Sequence, residues 1–288
     1  MRVHLCGVRG SMPSTGLEFA GVGGNTSCVA IAHDGELPRL VLDAGTGLRI
    51  LAKVLGATPF RGTILLGHLH WDHVMGLPFF PPGDHPDAKV RMLLPEQGVE
   101  PIALLGRAMS PPFFPITPKD LRGDWQVGTF DEGRFEAEGF DVLAREIPHK
   151  GSRTMGLRIS DGTSSIAYLS DHSPHDLGVG DHGYGVLHDA AMELASGVDL
   201  LIHDAQYTMG ELANRFTWGH AAADYCVALA EASGAKKVLL FHHDPWRTDE
   251  AVAALRDVVA ASATIPVEFA VEGSVIDLGR SAHDGSSR

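Results

Sequence analysis

Short apolar runs separated by turn-forming clusters occupy most of this chain. Runs of this kind, bounded by glycine, proline or asparagine, are typical of strands. They predict two successive sets of strands, the first at residues 2–8, 26–33, 39–45, 62–68 and 89–95, and the second at residues 140–149, 154–160, 164–171, 198–204, 236–243 and 267–273. Apolar residues at helical spacing predict helices at residues 47–56, 188–197 and 220–237. Strands therefore dominate, and helices intervene between them without strict alternation.

Residues 78–124 interrupt this pattern because they are rich in proline and glycine. The stretch contains SPPFFPITP and few basic residues, which is more typical of a surface insertion than of a linker between domains. We predict a single domain at residues 1–280 that carries this insertion, and the insertion could form a lid. The last residues, 281–288, are polar and are predicted to form a tail.

The composition allows one large core and argues against several classes of protein. With 288 residues, of which 44% are hydrophobic, the chain lies near the size at which single cores stop growing. Its formal net charge of −13 disfavours a nucleic-acid-binding surface, which depends on Lys and Arg. No apolar run in the sequence approaches the roughly 18 residues of a membrane span, so we expect no membrane partner. An anionic substrate would need a local positive centre such as a metal ion.

The cysteines indicate a reducing compartment. Cys6, Cys28 and Cys226 are odd in number and unrelated in spacing, which suggests neither a disulfide framework nor a thiolate metal site. A cytoplasmic location is therefore expected, and the sequence is compatible with a homodimer.

The stretch LLGHLHWDHVMGLP, residues 65–78, holds a high density of ionisable groups beside a predicted strand. His68 and His70 lie two residues apart in an extension of the strand, so their imidazoles point to the same side. Asp72 and His73 follow at a turn. Burying these groups is costly unless a cation shares them, and imidazole with carboxylate is a ligand set that divalent metals prefer. We therefore predict a metal site here.

Other predicted strands also end in a potential ligand. His149, Asp171 and His242 each follow an apolar run, and His243 comes directly after His242. Each of these residues alone is more often a turn residue or a satisfied polar group than a ligand. Together with the first cluster they favour a larger metal centre, and strand alternation leaves only one of the two adjacent histidines to bind metal.

The residues His68, His70, Asp72 and His73 form an HxHxDH motif that resembles the metal motif of the metallo-β-lactamase superfamily. The resemblance covers nearly the whole chain, because the other landmarks occur in the same order. It implies an α/β fold, the αββα four-layer sandwich, in which helices flank two facing sheets. It also implies two divalent metal ions. Zinc, manganese, iron or nickel could bind such a site, and zinc or manganese is expected.

The candidate ligands divide between the two ions on this resemblance. The ligands of the first ion would be His68, His70 and His149, and those of the second would be Asp72, His73 and His242. Asp171 would bridge the two ions. Asp43, at the end of LVLDAG, matches a residue that supports the metal loop without binding metal, and His243 is left with a supporting role.

Within the superfamily, the chain looks most like the phosphodiesterase branch, which includes ribonuclease Z and the phosphoribosyl cyclic phosphodiesterases. CGVRGSMPSTG and GGNTSC resemble the glycine-rich opening of that branch. LLIHDAQYT resembles its His-Glu-Ala-Thr segment with Asp204 at the acidic position, and His220 lies where the branch places a catalytic-site histidine. True β-lactamases of this fold commonly carry Arg in place of His73 and Cys in place of Asp171.

This resemblance implies metal-assisted hydrolysis of a phosphodiester. Asp72 and Asp171 would orient the attacking hydroxide, and one of them could act as the general base. His220, oriented by Asp204, could protonate or stabilise the leaving alkoxide. Taken alone, His220 could instead be a residue at the start of a helix.

We expect a small-molecule phosphodiester substrate, either a cyclic nucleotide or a cyclic ribose phosphate, and no nucleic-acid partner. The chain shows neither the basic, glycine-rich arm of ribonuclease Z nor the clustered cysteines of the dedicated phosphoribosyl enzymes. Phe113 and Phe114 could stack on a base or simply pack the loop. The backbone around Asn25 and Thr26 could form an anion nest or only a tight turn.

Three other functions remain compatible with the sequence: a ribonuclease Z-like endonuclease that processes transfer RNA 3′ ends, a lactone or ester hydrolase, and a non-catalytic metal-bound sensor. Cleavage of precursor transfer RNA would identify the first. A comparison of lactones with phosphodiesters would separate the second, and the complete ligand set argues against the third.

Overall fold

The computed structural model describes residues 1–279, so the predicted tail lies outside the described residues. Two sheets of seven strands each form the centre of the fold. The strands of the first sheet are β1 (Arg2–Gly7), β2 (Cys28–Ala32), β3 (Leu40–Leu42), β4 (Arg61–Leu65), β5 (Lys89–Pro95), β6 (Asp124–Phe130) and β14 (Val275–Asp277). Those of the second sheet are β7 (Gly133–Ala137), β8 (Phe140–Ile147), β9 (Thr154–Ser160), β10 (Ser165–Leu169), β11 (Leu200–Asp204), β12 (Val238–Phe241) and β13 (Val267–Phe269).

Both sheets mix parallel and antiparallel pairs. The first sheet has the order β14-β1-β2-β3-β4-β5-β6, and the second has the order β13-β12-β11-β10-β9-β8-β7. β3, β4, β5 and β6 run parallel to one another, and so do β10, β11, β12 and β13. Parallel strands bring their carboxyl ends to the same edge of a sheet, which is where open α/β sheets place their ligands.

Helices lie between the strands along the chain: α1 (Leu48–Leu55), α2 (Trp71–Val74), α3 (Pro101–Ala108), α4 (Asp189–Ala195), α5 (Met209–Arg215), α6 (Ala223–Ser233) and α7 (Asp249–Ala260). Within residues 1–279, no helix combines the length and the apolar composition that crossing a membrane requires.

The main apolar core lies between the two sheets, and both contribute to it. Val3 and Leu42 of the first sheet are buried in the same cluster as Ile159 of the second. On the outer faces, Leu51 of α1 packs over the first sheet, and Leu229 of α6 belongs to the cluster that covers the second. Burial of apolar surface on both faces of both sheets stabilises this arrangement. It is the predicted αββα four-layer sandwich.

The fold also contains elements that the apolar pattern does not predict. These are the edge strands β6, β7 and β14 and the helices α2, α3, α5 and α7. The three edge strands are half-exposed along their length, so they lack the continuous apolar runs that mark the inner strands. Residues 78–124 are also not one continuous insertion, because β5 lies inside this segment and pairs with β4 and β6. Only the chain on either side of β5 lies outside the sheet.

Candidate metal centre

The predicted metal ligands, Asp43 and Asp204 lie at one edge of the sandwich, at or just after the carboxyl ends of β3, β4, β8, β10, β11 and β12. Asp43 follows β3 and His242 follows β12, and both adopt the left-handed backbone conformation, with φ of 61° and 56°. This conformation is rare for residues with a side chain and is often associated with functional sites. The abrupt turn after each strand directs the side chain into the space between the sheets.

Four residues form the first potential ligand group, and each offers one ligand atom within 4.8 Å of the others: His68, His70, His149 and Asp171. His149 Nε2 lies 3.2 Å from His70 Nδ1 and 3.4 Å from Asp171 Oδ2. His68 Nε2 lies 3.6 Å from the same Oδ2 atom. Three imidazole nitrogens therefore converge with one carboxylate oxygen, which is a ligand set suited to zinc and similar metals.

The second group shares one member with the first and consists of Asp72, His73, Asp171 and His242. His73 Nε2 and His242 Nε2 lie 3.0 and 3.1 Å from Asp171 Oδ1. The same two nitrogens lie 3.2 and 3.1 Å from Asp72 Oδ2. Asp171 thus directs Oδ2 toward the first group and Oδ1 toward the second, as a bridging carboxylate would. The structure brings all seven predicted ligands together, and their binding of metal stays a prediction.

The hydrogen bonding of these groups fits a cation. His68 is fully buried, yet neither of its ring nitrogens makes a hydrogen bond. His73 Nε2 and Asp171 Oδ1 are also buried without a hydrogen-bond partner. Buried polar atoms are almost always paired, so several orphaned atoms at one point need an explanation. Divalent ions bound to the two groups would satisfy His73 Nε2, Asp171 Oδ1 and one ring nitrogen of His68.

The pKa shifts also favour the protonation states in which these side chains bind metal. Burial and the neighbouring His73 hold the pKa of His68 well below its usual value, and burial lowers the pKa of His149 to about 4. Burial alone would raise the pKa of Asp72, but His73 and His242 lower it well below its ordinary range. Neutral imidazole and ionised carboxylate are the forms that bind metal.

His73 differs from His68 and His149, because three carboxylates outweigh its burial and raise its pKa well above the usual value. Those carboxylates belong to Asp72, Asp171 and Asp43. A position that attracts a proton this strongly also attracts a metal cation, and the two compete for the same nitrogen.

The imidazoles are oriented by hydrogen bonds through their other ring nitrogens. His149 Nδ1 donates to the carbonyl oxygen of Gly219 at 2.6 Å, and His242 Nδ1 donates to Gln206 Oε1 at 2.9 Å. Both bonds leave Nε2 free to face the centre, which is the usual way that proteins fix the tautomer of a metal-binding histidine. The sequence gives no signal for either partner.

Asp43 provides the corresponding bond for His73 and stays outside both ligand groups. His73 Nδ1 donates to Asp43 Oδ2 at 2.8 Å, and the Tyr168 hydroxyl donates to the same oxygen at 2.7 Å. The backbone N–H of Gly67 donates to Oδ1 at 2.7 Å. This buried carboxylate therefore ties the metal-motif loop to the second sheet, consistent with its predicted supporting role.

The amino-terminal loop also reaches the centre. The backbone N–H of Ser11 donates to Asp72 Oδ2 at 2.7 Å, and Ser11 has φ of 62°. Its hydroxyl accepts from Gln206 Nε2 at 3.3 Å. Ser11 was not identified as a site residue from the sequence, although it lies in the glycine-rich opening.

Asp204 and His220 form a pair beside the second group. His220 Nδ1 donates to Asp204 Oδ2 at 2.9 Å, and Asp204 Oδ1 accepts from the N–H of Gln206 at 3.0 Å. Burial lowers the pKa of His220, but the carboxylates of Asp204, Asp171 and Asp72 together outweigh burial and raise it above its usual value. His220 precedes α6 in a loop, so it does not itself start the helix.

A cleft of about 380 Å³ opens over these residues. It is lined by Ser11, Leu69, His70, Trp71, Asp72, Asp171 and His220. The cleft therefore brings members of both ligand groups and His220 to a common space.

The remaining predicted residues lie farther from the chemistry. His243 is buried on the other side of the chain, where its Nε2 donates to the carbonyl oxygen of Ala270 at 3.0 Å. The N–H and Nδ2 of Asn25 both donate to Glu272, and the N–H of Thr26 donates to Thr46 Oγ1, so internal partners satisfy the predicted anion nest. A substrate role for Asn25 and Thr26 therefore stays a prediction.

The two phenylalanines of the insertion have different environments. Phe113 is 86% exposed, and Phe114 packs edge-on against Phe79 with ring centroids 5.8 Å apart. Phe114 also lines an apolar cavity beside the metal motif. Of the two predicted roles, stacking on a base or packing the loop, the packing role therefore describes Phe114 better than Phe113.

A chain of three histidines behind Asp204 was also missed in the sequence. His203 Nδ1 donates to the carbonyl oxygen of Asp204 at 2.8 Å, which leaves its Nε2 to accept from His172 Nδ1 at 2.9 Å. His172 Nε2 then accepts from His188 Nε2 at 2.7 Å. The Asp204 carbonyl can only accept, so His203 donates through Nδ1 and accepts through Nε2. His172 then donates through Nδ1 and accepts through Nε2, and His188 donates through Nε2. The chain supports the end of β11.

Comparisons with known proteins agree with this geometry. A model of the β-lactamase superfamily domain matches residues 38–243. An uncharacterized protein of Mycobacterium tuberculosis is 27% identical over 259 residues, covering 86% of this chain and 88% of the relative. The ribonuclease Z of Natronomonas pharaonis is 22% identical over 288 residues, covering 84% of this chain and 86% of that enzyme.

A solved structure shows the same architecture. The crystal structure of the metallo-β-lactamase fold protein YhfI from Bacillus subtilis superimposes with a TM-score of 0.71 and 18% identity. The match covers 96% of this chain and 99% of that chain. At this level of identity the likeness concerns the fold.

Proposed function

The chain belongs to the β-lactamase superfamily, and on this premise we propose that it hydrolyses small phosphodiesters with the help of two divalent metal ions. The observation that carries the proposal is the pair of ligand groups joined by Asp171, which open into the same cleft as His220. The ribonuclease Z relative supports it, since a ribonuclease acts on phosphodiester bonds.

The residues of the two groups have separate tasks. His68, His70 and His149 would hold one ion, and Asp72, His73 and His242 would hold the other, with Asp171 between them. Two such ions supply a nucleophile at neutral pH and neutralise charge on the phosphate oxygens. Asp72 faces the cleft and can accept a proton from water, while Ser11 N–H holds its Oδ2 in place.

His220 is suited to the leaving group. Its Nδ1 is occupied by Asp204, so Nε2 is the atom available to a substrate in the cleft. A protonated imidazole can donate through Nε2 to a departing alkoxide. Asp204 holds the ring and stabilises its positive charge.

Two observations support a small substrate. The cleft volume of about 380 Å³ falls within the range of small-molecule sites. The net charge of −13 disfavours a long polyanion such as transfer RNA. A cyclic nucleotide or a cyclic ribose phosphate therefore remains our first candidate.

The test is metal analysis followed by a substrate panel. Protein loaded separately with zinc and manganese should bind close to two ions per chain and should hydrolyse bis(p-nitrophenyl) phosphate or a cyclic nucleotide. Simple lactones and precursor transfer RNA serve as comparison substrates on the same preparation. Preferential lactone hydrolysis, or cleavage of transfer RNA with no activity on small diesters, would overturn the proposal.

A further inference from the structure

A second cavity lies under the insertion and beside the metal motif. Its volume is about 220 Å³, and its walls include Trp71, Met75, Phe79, Met92, Met109 and Phe114. Trp71 lies in α2, Met75 and Phe79 follow α2, Met92 lies in β5, and Met109 and Phe114 follow α3. The cavity is therefore built jointly by the sheet and by the chain on both sides of β5.

Trp71 connects this cavity to the candidate metal centre. It lies between His70 and Asp72, two of the predicted ligands, and it is 73% exposed. The same indole lines the apolar cavity and the cleft that contains Asp171 and His220. The cleft and the cavity therefore adjoin at Trp71.

The chemistry of the walls selects the group that can enter. Among the lining side chains, all within the described residues, the indole N–H of Trp71 is the single polar group. A nucleobase carries several hydrogen-bonding atoms, and burying them without partners is unfavourable. A hydrocarbon group has no such cost. Three methionines, Met75, Met92 and Met109, provide flexible and polarisable walls that adapt to such groups.

We propose that this cavity binds an alkyl or aryl group of the substrate, attached to the phosphate that the metal centre cleaves. The inference rests on the proposed phosphodiesterase function and adds diesters with one apolar ester group to its candidate substrates. A cyclic nucleotide would then have to direct its base toward the open cleft rather than into this cavity.

The test measures binding of alkylphosphonates, which the enzyme cannot hydrolyse, to the metal-loaded protein by titration calorimetry. Methyl-, propyl- and hexylphosphonate share one phosphonate head and differ only in hydrocarbon length. Burial of each methylene should lower Kd by up to about fourfold. We expect hexylphosphonate to bind at least about tenfold more tightly than methylphosphonate.

Two variants locate the effect in the cavity. Ala108 lies on its rim at the end of α3, and Ala108→Phe should fill the space and reduce the hexyl-to-methyl affinity ratio to about one. Phe114→Ala removes part of a wall and should reduce the same ratio. Ala103→Phe is the matched control, because Ala103 is exposed on the same helix and does not line the cavity.

Three outcomes would overturn the proposal: affinities that do not depend on chain length, a length dependence unchanged in both cavity variants, or no binding of any phosphonate. Hydrolysis of bis(p-nitrophenyl) phosphate by the same preparation separates this result from the proposed function. If the protein hydrolyses this diester but its affinity for phosphonates does not depend on chain length, only the proposed apolar subsite is refuted. If phosphonate affinity depends on chain length but the diester is not hydrolysed, the subsite is supported and the proposed phosphodiesterase function is refuted.

Discussion

The role of Asp43 can be tested by the conservative change Asp43→Asn, which keeps the shape of the side chain and removes its charge. The carboxylate accepts three short hydrogen bonds, from Gly67 N–H, His73 Nδ1 and the Tyr168 hydroxyl. An amide can offer only one oxygen, so one side of the group must become a donor. If the oxygen remains on Gly67, the new NH₂ group faces His73.

The consequence for His73 is a change of tautomer. Its Nδ1 must then accept a hydrogen bond, which places the ring proton on Nε2. Nε2 is the atom that lies 3.0 Å from Asp171 Oδ1 and 3.2 Å from Asp72 Oδ2, and it can no longer bind metal without losing that proton. Loss of such an orienting partner typically costs 10–100-fold in metal affinity. This range corresponds to about 1.4–2.8 kcal/mol.

The opposite orientation of the amide gives a penalty of similar size in the free energy of unfolding. In that case NH₂ would face Gly67 N–H and leave a buried donor without an acceptor, at a cost of about 1–3 kcal/mol. The affinities of both ions should be measured by competition with a chromogenic chelator. The ion held by His73 should lose 10–100-fold, while the ion held by His68, His70 and His149 should change much less.

The control for this experiment is Asp141→Asn, which removes an exposed carboxylate on β8 far along the strand from the centre. It should leave both affinities unchanged. If Asp43→Asn also leaves both unchanged while the protein remains folded, Asp43 does not set the tautomer of His73.

Four further predictions follow from the geometry. Asp171→Ala should weaken both ions, because its two oxygens face different ligand groups, and elemental analysis showing two retained ions would exclude the bridging role. His242→Ala should lose one ion and His243→Ala should retain both, and the reverse pattern in metal analysis would contradict our assignment. His220→Ala should keep its metal and lose about 10²–10⁴-fold in kcat on a cyclic nucleotide, but far less on a nitrophenyl diester, and equal losses on both would rule out the acid role. Burial lowers the pKa of His203 to about 4 from 6.5, so between pH 6.5 and 4 the unfolded chain takes up a proton here before the folded chain does. Acidification over this range should therefore lower the free energy of unfolding by up to about 3 kcal/mol. Urea unfolding of the unaltered chain and of His203→Gln at a series of pH values would measure this loss.

The metal ligands could be predicted from the sequence because their signals are local. The HxHxDH motif concentrates four of them within six residues, and each of the others comes directly after an apolar strand. Inner strands are recognisable because they are buried on both faces, as Cys28–Ala32 is along its full length. The helix α7 had a usable signal that was not recognised. Thr248 caps its first turn, Asp249 and Glu250 follow, and buried Val252 and Leu255 have helical spacing.

The orienting partners could not be predicted, because each is distant along the chain from the residue it holds. Gln206 lies 36 positions from His242, Gly219 lies 70 from His149, and Tyr168 lies 125 from Asp43. Glutamine, glycine and tyrosine are also common residue types with many other uses. Only the docked arrangement of the two sheets shows which atoms meet.

The same long-range contacts connect metal binding to completion of the fold. His242 Nε2 and Asp72 Oδ2 lie 3.1 Å apart although 170 positions separate them, and they belong to different sheets. Asp171 and His73 likewise join the two sheets. A centre of this kind cannot form before the sheets dock, so an ion binds the native state far better than the unfolded chain. Each ion present at 100 times its Kd should therefore raise the free energy of unfolding by about 2.7 kcal/mol, provided the unfolded chain binds it negligibly.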